Sequence, residues 1–233
     1  MKKNISLLTF VLFIGIQVFS QERITVNAGN DMNTAFSNSR YLFPQFQNAR
    51  VVLQGRTLIA KMNYNALTGD MEFMNENGTI LALSEHVDAI VLGNRLFKYS
   101  PKGYIEVLAY DSNSELLVRT KYAISDRRKR GAYGTLSSTS SIESLSSLDA
   151  ILPISPDLTL NTQRIDLVPD EEVTYKKVET FYIFSKGKYL IANKSNFAKE
   201  FGKQKIDNFL KSDTIDFMNR EDVKRLFTYC MEQ

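Results

Sequence analysis

Residues 89–122, AIVLGNRLFKYSPKGYIEVLAYDSNSELLVRTKY, decide the fold because short apolar segments alternate in them with turn residues. The turns are Gly93-Asn94, Pro101-Lys102-Gly103 and Asp111-Ser112-Asn113-Ser114. The segments between the turns are rich in β-branched and aromatic residues, which favour strands, and connections this short join strands as antiparallel neighbours. This stretch therefore predicts an antiparallel meander.

The same pattern extends upstream to residue 41. Gln54-Gly55 separates two apolar segments, and a glycine there supplies the positive φ of a tight hairpin turn. Thr68-Gly69-Asp70 forms the next turn, and Asn77-Gly78 ends the one after it; Asn-Gly is among the strongest short-range hairpin signals. About eight strands with such connections predict a β domain over residues 21–125, built as a sandwich or a partly open barrel.

The composition changes after residue 125. Residues 127–130 are Arg-Arg-Lys-Arg, and residues 137–147 contain seven serines. Prolines at positions 153, 156 and 169 disfavour regular strand pairing in the stretch that follows. We therefore expect residues 126–172 to be a flexible linker that contains serine and proline.

Residues 173–233 predict a β-hairpin followed by two or three short helices. Two aromatic and β-branched segments flank the turn Ser185-Lys186-Gly187. Ser195 is the predicted N-cap of a helix that ends at Gly202. For the last helix the sequence predicts Asn219 as N-cap and an apolar face of Val223, Leu226, Phe227 and Cys230. The chain is thus predicted to be α+β, with this tail docked on the β domain.

Residues 1–20 have the order of a cleavable secretory signal peptide. Lys2 and Lys3 precede an apolar run over residues 7–16, and the small Ser20 stands before polar residues. The run is shorter than the ~20 apolar residues of a membrane-spanning helix, and no later segment is long enough. We predict export to the periplasm or the cell exterior, with no integral membrane segment after cleavage.

Charge and the rare residue types exclude several classes of function. The chain has 29 Lys and Arg against 26 Asp and Glu, and loss of Lys2 and Lys3 leaves 27 against 26. So small an excess gives no general attraction for nucleic acid. One histidine and one cysteine exclude an intramolecular disulfide and a zinc site built from nitrogen and sulfur ligands. No glycine pattern matches a nucleotide-binding loop, so we predict no cofactor. We predict no metal site either.

Six residues are candidates for binding a partner: Tyr41, Phe43, Phe46, Arg127, Arg128 and Arg130. The aromatic three surround Pro44, so they either stack on a sugar or a partner protein or close one end of the sheet core. The arginines either dock on an anionic surface or form part of a solvated loop.

His86 is a separate candidate, as a general base beside Glu85 and Asp88. A hydrolase also needs an oriented nucleophile and an oxyanion site, and no serine of the chain has the Gly-x-Ser-x-Gly context. We therefore favour a surface or turn position for His86 and predict that the protein is not an enzyme.

Two sets of short segments carry a family resemblance. They are YLFPQF at 41–46, AKMNYN at 60–65, LLVR at 116–119 and GAYG at 131–134, with YIF at 182–184, KY at 188–189, NF at 196–197, IDF at 215–217 and ED at 221–222 in the tail. In these segments the chain resembles a family of uncharacterised exported proteins of Bacteroidetes-type Gram-negative bacteria. The resemblance implies an exported location and assigns no activity, ligand or functional residue.

These observations predict a non-catalytic exported cell-envelope protein that binds another protein or an envelope polymer. Two alternatives stay open. One is a carbohydrate-binding module that uses Tyr41, Phe43 or Tyr104, and the other is a hydrolase that uses His86. The oligomeric state is open as well.

Overall fold

The computed structural model describes residues 23–37, 39–84, 86–128, 169 and 171–232. The predicted signal peptide, nearly all of the predicted linker, Glu85 and Arg130 lie outside these residues. The strands are β1 (Arg23–Val26), β2 (Gln47–Leu53), β3 (Arg56–Asn65), β4 (Asp70–Met74), β5 (Ile80–Ala82), β6 (Ala89–Leu92), β7 (Arg95–Ser100), β8 (Gly103–Tyr110), β9 (Ser114–Arg128), β10 (Glu172–Ser185) and β11 (Lys188–Ile191). The helices are α1 (Met32–Ala35), α2 (Lys194–Phe201), α3 (Lys203–Ser212) and α4 (Arg220–Met231).

The strands form one antiparallel sheet in the order β1-β10-β9-β8-β7-β6-β2-β3-β4-β5, and β11 pairs with β10. A mostly antiparallel sheet followed by C-terminal helices confirms the predicted α+β class. The sheet is single and open, so the alternative of a sandwich of two sheets is wrong.

The predicted meander is interrupted once, because β6 pairs with β2 rather than with β5, its neighbour along the chain. The register places Ile90 opposite Val51 and Leu92 opposite Ala49, and all four side chains are buried. Burial of apolar area favours this pairing, and turn chemistry at β5 does not reveal it.

The hairpin turns lie where the sequence predicts them. Gln54 and Gly55, with φ values of 50° and 76°, connect β2 to β3. Between β4 and β5, Gly78 has a φ of 77°, and the Thr79 N–H donates to Asn75 Oδ1 over 2.8 Å.

The sheet curls because the β3–β4 turn lies against β8 and β9. The Tyr104 N–H donates to the Gly69 carbonyl oxygen over 3.0 Å, and the Tyr122 N–H donates to the Ala66 oxygen over 3.1 Å. The buried Tyr64 hydroxyl donates to the Thr120 oxygen over 2.9 Å. The curl gives the sheet an inner face, which encloses the apolar cores, and an outer face turned away from them.

A first core, the roll core, fills the inner face between β1–β4 and β6–β10. Its members include Phe36, Met62, Tyr64, Met71, Ile90, Leu92, Phe97, Tyr104 and Tyr122. The residue that ends α1, Phe36, packs edge-on against Tyr122 with 4.6 Å between ring centroids. The segment that contains β1 and α1, which the sequence analysis does not predict, thereby covers one side of this core.

A second core, the helix core, lies where α2, α3 and α4 cover the inner face of β9 and β10. Its buried members are Leu116, Val118, Phe181, Ile183, Ala192, Phe197, Ile206, Phe209, Val223, Leu226, Phe227 and Cys230. The apolar face predicted for the last helix is confirmed, and Asn219 is its N-cap, since the Asn219 side chain accepts from the N–H groups of Glu221 and Asp222.

The predicted N-cap of α2 is wrong by two residues. Asn193, not Ser195, accepts the Asn196 N–H over 2.9 Å, and the helix begins at Lys194. Both side chains have the oxygen that a cap requires, and the end of β11 selects Asn193 because it fixes where the chain leaves the sheet. The predicted end at Gly202 is confirmed, with a φ of 96°.

The two longest strands serve both cores. β9 continues to Arg128 and β10 begins at Glu172, so strand structure extends into both ends of the predicted linker. Arg127 pairs with Val173, and Arg128 pairs with Glu172. The expectation that these two arginines lie in a loop is therefore wrong, because β10 supplies backbone partners for them.

One partly buried ion cluster fastens α4 to the sheet. Arg220 donates through Nη1 and Nη2 to the two carboxylate oxygens of Glu106, over 2.9 and 3.0 Å. It also donates to both oxygens of Glu179, through Nε over 3.2 Å and Nη2 over 2.5 Å. These carboxylates raise the pKa of Arg220 against the opposing effect of its burial, so the guanidinium stays charged.

Candidate protein-binding surface

The outer face of β2–β5 is defined by the strand register. Lys61 lies opposite Asn48 on one side and Met74 on the other, and Met74 lies opposite Ile80. Because side chains alternate along a strand, Ile59 points to the same face as Lys61. This corner of the outer face therefore carries Ile59, Met74 and Ile80 around one lysine.

The corner is unusually apolar for an exposed surface. Ile59 (66%) and Ile80 (42%) are strongly exposed on this outer face. Leu58 (53%) and Leu81 (44%) are exposed on the inner side of the same strands, at the rim of the roll core. These are four of the nine strongly exposed large apolar residues in the described chain, and exposed apolar groups of this kind occur at interaction sites.

A shallow groove of about 470 Å³ runs beside these side chains. It is lined by Ile59, Ala60, Lys61, Met74, Asn75, Glu76 and Gly78. The groove exists because β4 ends at Met74 and the chain turns away through residues 75–78, whereas β3 continues for five more residues to its start at Arg56.

Unpaired backbone borders the groove. Among the described strands, residues 56–60 of β3 pair with β2 alone, since pairing with β4 starts at Lys61. Within the same described sheet, β5 is the last strand of the order and pairs only with β4. Unpaired strand edges present rows of N–H and C=O groups that another strand can bind. We call this region, with its groove and exposed isoleucines, the β3–β5 edge.

Free positive charge lies next to the β3–β5 edge. Arg50 pairs with Ile59 on the neighbouring strand and points to the same face. Arg50 and Lys61 are exposed, and neither has an ion-pair partner among the described residues. Glu76, in the turn that closes the groove, is also exposed. The outer face of the corner thus combines apolar side chains with two cations.

The aromatic candidates separate into two places. Tyr41 packs edge-on against Phe46 at 5.1 Å, and its hydroxyl donates to Glu72 Oε2 over 2.7 Å. Burial and the hydrogen bond to Glu72 raise the pKa of Tyr41, so the hydroxyl stays protonated. Since Glu72 lies two residues before Met74 and points to the same face of β4, this pair lies at the far end of the outer face that carries the groove.

Phe43 lies elsewhere and is held by its backbone. Its N–H donates to Asn63 Oδ1 over 3.2 Å, and its carbonyl accepts from Asn63 Nδ2 over 2.8 Å. The Arg95 guanidinium stands 5.5 Å from the ring centroid. Phe43 therefore contributes to the β6–β7 side of the sheet rather than to the groove.

The arginine candidates are far from the aromatic ones in the strand order, on β9 next to β10. Arg127 lies 3.5 Å from Glu171, and Arg128 lies 3.2 Å from Asp126 and 3.6 Å from Glu172. These carboxylates satisfy much of the charge that a docking strip would offer. The structure therefore does not join the two sets of candidates into one site.

His86 is exposed and stacks on Tyr99, with 3.8 Å between ring centroids. Tyr99 in turn packs edge-on against Tyr104, which is only 2% exposed. Burial removes Tyr104 as a platform for a sugar. Among the described residues, no group of three or more His, Cys, Asp and Glu side chains is placed to hold a metal ion.

The chain matches no model of a protein family, no curated protein and no solved structure. The resemblance to exported Bacteroidetes-type proteins accordingly stays a prediction. Within the part of the chain that the structure describes, no helix has the length and apolar character to cross a membrane.

Sequence reasoning missed the exposed apolar residues of the β3–β5 edge. Leu58 and Ile59 read as part of an ordinary apolar strand, and Ile80 and Leu81 read as part of the hairpin with residues 71–74. The available signal is that adjacent apolar residues must point to opposite faces, so a strand at the rim of a one-sided core exposes one of them. Using that signal requires knowing that β5 ends the sheet.

Proposed function

We propose that this protein is a non-catalytic exported protein of the cell envelope that binds an extended segment of another protein at the β3–β5 edge. The observation that carries the proposal is an unpaired strand edge beside a groove and two exposed isoleucines. A bound segment adds a strand to the sheet through main-chain hydrogen bonds, and its alternate side chains enter the groove.

The backbone chemistry favours polypeptide over polysaccharide as the partner. An edge strand offers amide N–H and carbonyl groups at the spacing of another strand, and a sugar polymer has no matching repeat. Tyr104 is buried and the Tyr41 hydroxyl is bonded to Glu72, so two of the three rings suggested for carbohydrate are engaged within the protein.

The side chains of the edge indicate the composition of the segment. Ile59 and Ile80 take apolar partners, because contact with them removes apolar area from water. Arg50 and Lys61 add attraction for carboxylates on the same side. We therefore expect the segment to alternate β-branched apolar residues with acidic ones. Its encounter in the periplasm or outside the cell rests on the signal peptide predicted at residues 1–20.

Fluorescence anisotropy with two synthetic peptides tests the proposal. One alternates valine with glutamate and the other alternates valine with lysine. We expect the glutamate peptide to bind the wild-type protein and the lysine peptide to bind at least about tenfold more weakly, since its charge opposes Arg50 and Lys61. The double substitution Ile59→Lys and Ile80→Lys removes the apolar contacts and weakens binding of the glutamate peptide by a similar factor or more.

Met218→Lys is the matched control, because Met218 is equally exposed, at 66%, and lies outside the sheet. This variant keeps wild-type affinity. Equal binding by all three proteins, or no binding of either peptide, contradicts the proposal.

A further inference from the structure

The outer face of the sheet carries a second feature, separate from the β3–β5 edge, around Arg119 in the middle of β9. Arg119 is 6% exposed, although it is a cation on a face that no helix covers in the described chain. Arg119 pairs with Thr180, so its side chain points to one face of the sheet, while Thr120, Glu106 and Glu179 point to the other. The carboxylates that hold Arg220 are therefore on the wrong side of the sheet for Arg119.

Among the residues that the structure describes, Arg119 has no ion-pair partner. Nη2 donates to Ser100 Oγ over 2.7 Å, and that hydroxyl donates to the Gly103 carbonyl over 2.6 Å. Nε is buried without a hydrogen-bond acceptor. Glu115, an acidic residue on the same face of β9, is paired with Lys98. Buried charges in proteins are normally paired, whereas this guanidinium has no counter-anion within the described part of the chain.

One aromatic ring contacts the cation and compensates part of this cost. The guanidinium carbon stands 5.8 Å from the centroid of the Tyr182 ring. Tyr189 lies on the same face, because it pairs with Phe184, two residues from Tyr182 on β10. A cation–π contact contributes only about 0.5–2 kcal/mol, which is small beside the cost of burying an unpaired charge.

From these contacts we propose that Arg119, Ser100 and Tyr189 form a binding site for an organic carboxylate. The planar guanidinium presents donors in a fork that matches the two oxygens of a carboxylate. The rings of Tyr182 and Tyr189 provide an apolar wall for the body of the ligand. Tyr189, 37% exposed on β11, marks the side from which the ligand enters.

Tyr189 also contributes a donor. Burial raises the pKa of Tyr189 more than the neighbouring Arg119 lowers it, so the hydroxyl is protonated at neutral pH. A phosphate ion fills the fork as well but gains nothing from the rings. The site therefore prefers a carboxylate on a ring or a branched apolar body.

Titrations followed by NMR of the full chain test this site, with benzoate, acetate and inorganic phosphate as probes at constant ionic strength. We expect saturable shifts of the Arg119 side-chain and Tyr189 signals, with benzoate binding at least about tenfold more tightly than acetate or phosphate. Arg119→Met removes the binding. Arg119→Lys, which keeps the charge and loses the fork, weakens benzoate binding at least about tenfold. Arg225→Met, a surface arginine of α4, binds like the wild type.

Thermal unfolding distinguishes a ligand site from a structural arginine. Methionine has nearly the length of arginine without its charge, so Arg119→Met unfolds at the same temperature as the wild type or higher. Benzoate raises the unfolding temperature of the wild type and leaves that of Arg119→Met unchanged. Absence of saturable shifts, shifts that persist in Arg119→Met, or phosphate binding equal to benzoate overturns the proposal.

Discussion

At the scale of single residues, Arg220 joins α4 to the sheet through two carboxylates. One guanidinium neutralises Glu106 and Glu179, which lie on β8 and β10, the two strands that pair with β9. Glu106 is 5% exposed, so it depends on that neutralisation, which Arg95 supplements only at 3.5 Å. The helix is thereby fixed in register with the sheet as well as packed on it.

We predict that Arg220→Met lowers the free energy of unfolding by roughly 3 kcal/mol. Breaking a partly buried ion pair leaves the remaining carboxylate desolvated and unpaired, which costs more than the pair contributes when intact. Urea denaturation measures the loss. Arg225→Met, which breaks the exposed contact to Asp213, is the control and costs at most about 1 kcal/mol. Equal losses in the two variants would show that the cluster around Arg220 is no more than a surface ion pair.

This cluster was beyond prediction from the sequence. Arg220 and Glu106 are separated by 114 residues, and Arg220 and Glu179 by 41. One sequence contains many pairs of opposite charge, and only the packing of α4 on β8 and β10 selects this one. By contrast, the caps and apolar face of α4 depend on residues within a few positions of one another, and Asn219 and Cys230 lie as predicted.

At the scale of secondary structure elements, the turn into β8 holds the sheet in its curled form. Gly103 has a φ of 94°, and a side chain there would place its Cβ 2.7 Å from the Gly69 carbonyl oxygen. The close approach is needed for the hydrogen bond from the Tyr104 N–H to the same oxygen.

Gly103→Ala should therefore destabilise the protein more than an ordinary turn substitution. It combines backbone strain with a clash against backbone that cannot move aside, and we expect a loss of about 2–3 kcal/mol. Gly78→Ala is the matched control, because Gly78 has a similar φ of 77° and open space around it. Its loss should be about 1 kcal/mol. Thermal and urea denaturation measure both losses, and indistinguishable results contradict a role for the β3–β8 contact.

Elements with local signals were predicted and elements with distant partners were not. The turns at Gln54-Gly55 and residues 75–78 carry their own chemistry, so their positions are confirmed. The pairing of β6 with β2 depends on which edge remains free after β2–β5 has formed, and no residue near β6 reveals it. The predicted cap at Ser195 failed because two side chains of equal capping ability lie two residues apart.

At the scale of the whole molecule, β9 and β10 make one folding unit of the two cores. β9 contributes Leu116 and Val118 to the helix core and Tyr122 to the roll core. β10 contributes Phe181 and Ile183 to the helix core and Tyr175 to the roll core. If either core unfolded, apolar residues of both β9 and β10 would become exposed to water.

We predict that the described chain unfolds in one cooperative transition. Phe227→Ala, in the helix core, should lower stability by about 3–5 kcal/mol through loss of burial and creation of a cavity. Hydrogen exchange should show the same decrease in protection for amides of β3, which lie on the roll core, as for amides of α4. Leu58→Ala, at an exposed position, serves as the control with a small effect. Loss of protection confined to α2–α4 would show two independent units.

The proposed binding surface was the part least open to prediction. Tyr41 and Phe46 pack together, but the Tyr41 hydroxyl donates to Glu72, and Phe43 lies elsewhere. The β3–β5 edge lacks a neighbouring strand, and Arg119 lacks an ion-pair partner, among the residues that the structure describes. A sequence specifies which residues are apolar or charged, and the arrangement of the complete sheet decides which of them are left without partners.

The pairing of β1 with β10 also has a consequence for the order of events during synthesis. Thr25 and Thr174 bond to each other across 149 residues of chain. A ribosome releases the amino-terminal segment first, so β1 waits, unpaired, until translation has passed Lys176. The strand made earliest is thus among the last to find its place, and during that interval its backbone is open to any helper protein that receives the nascent polypeptide.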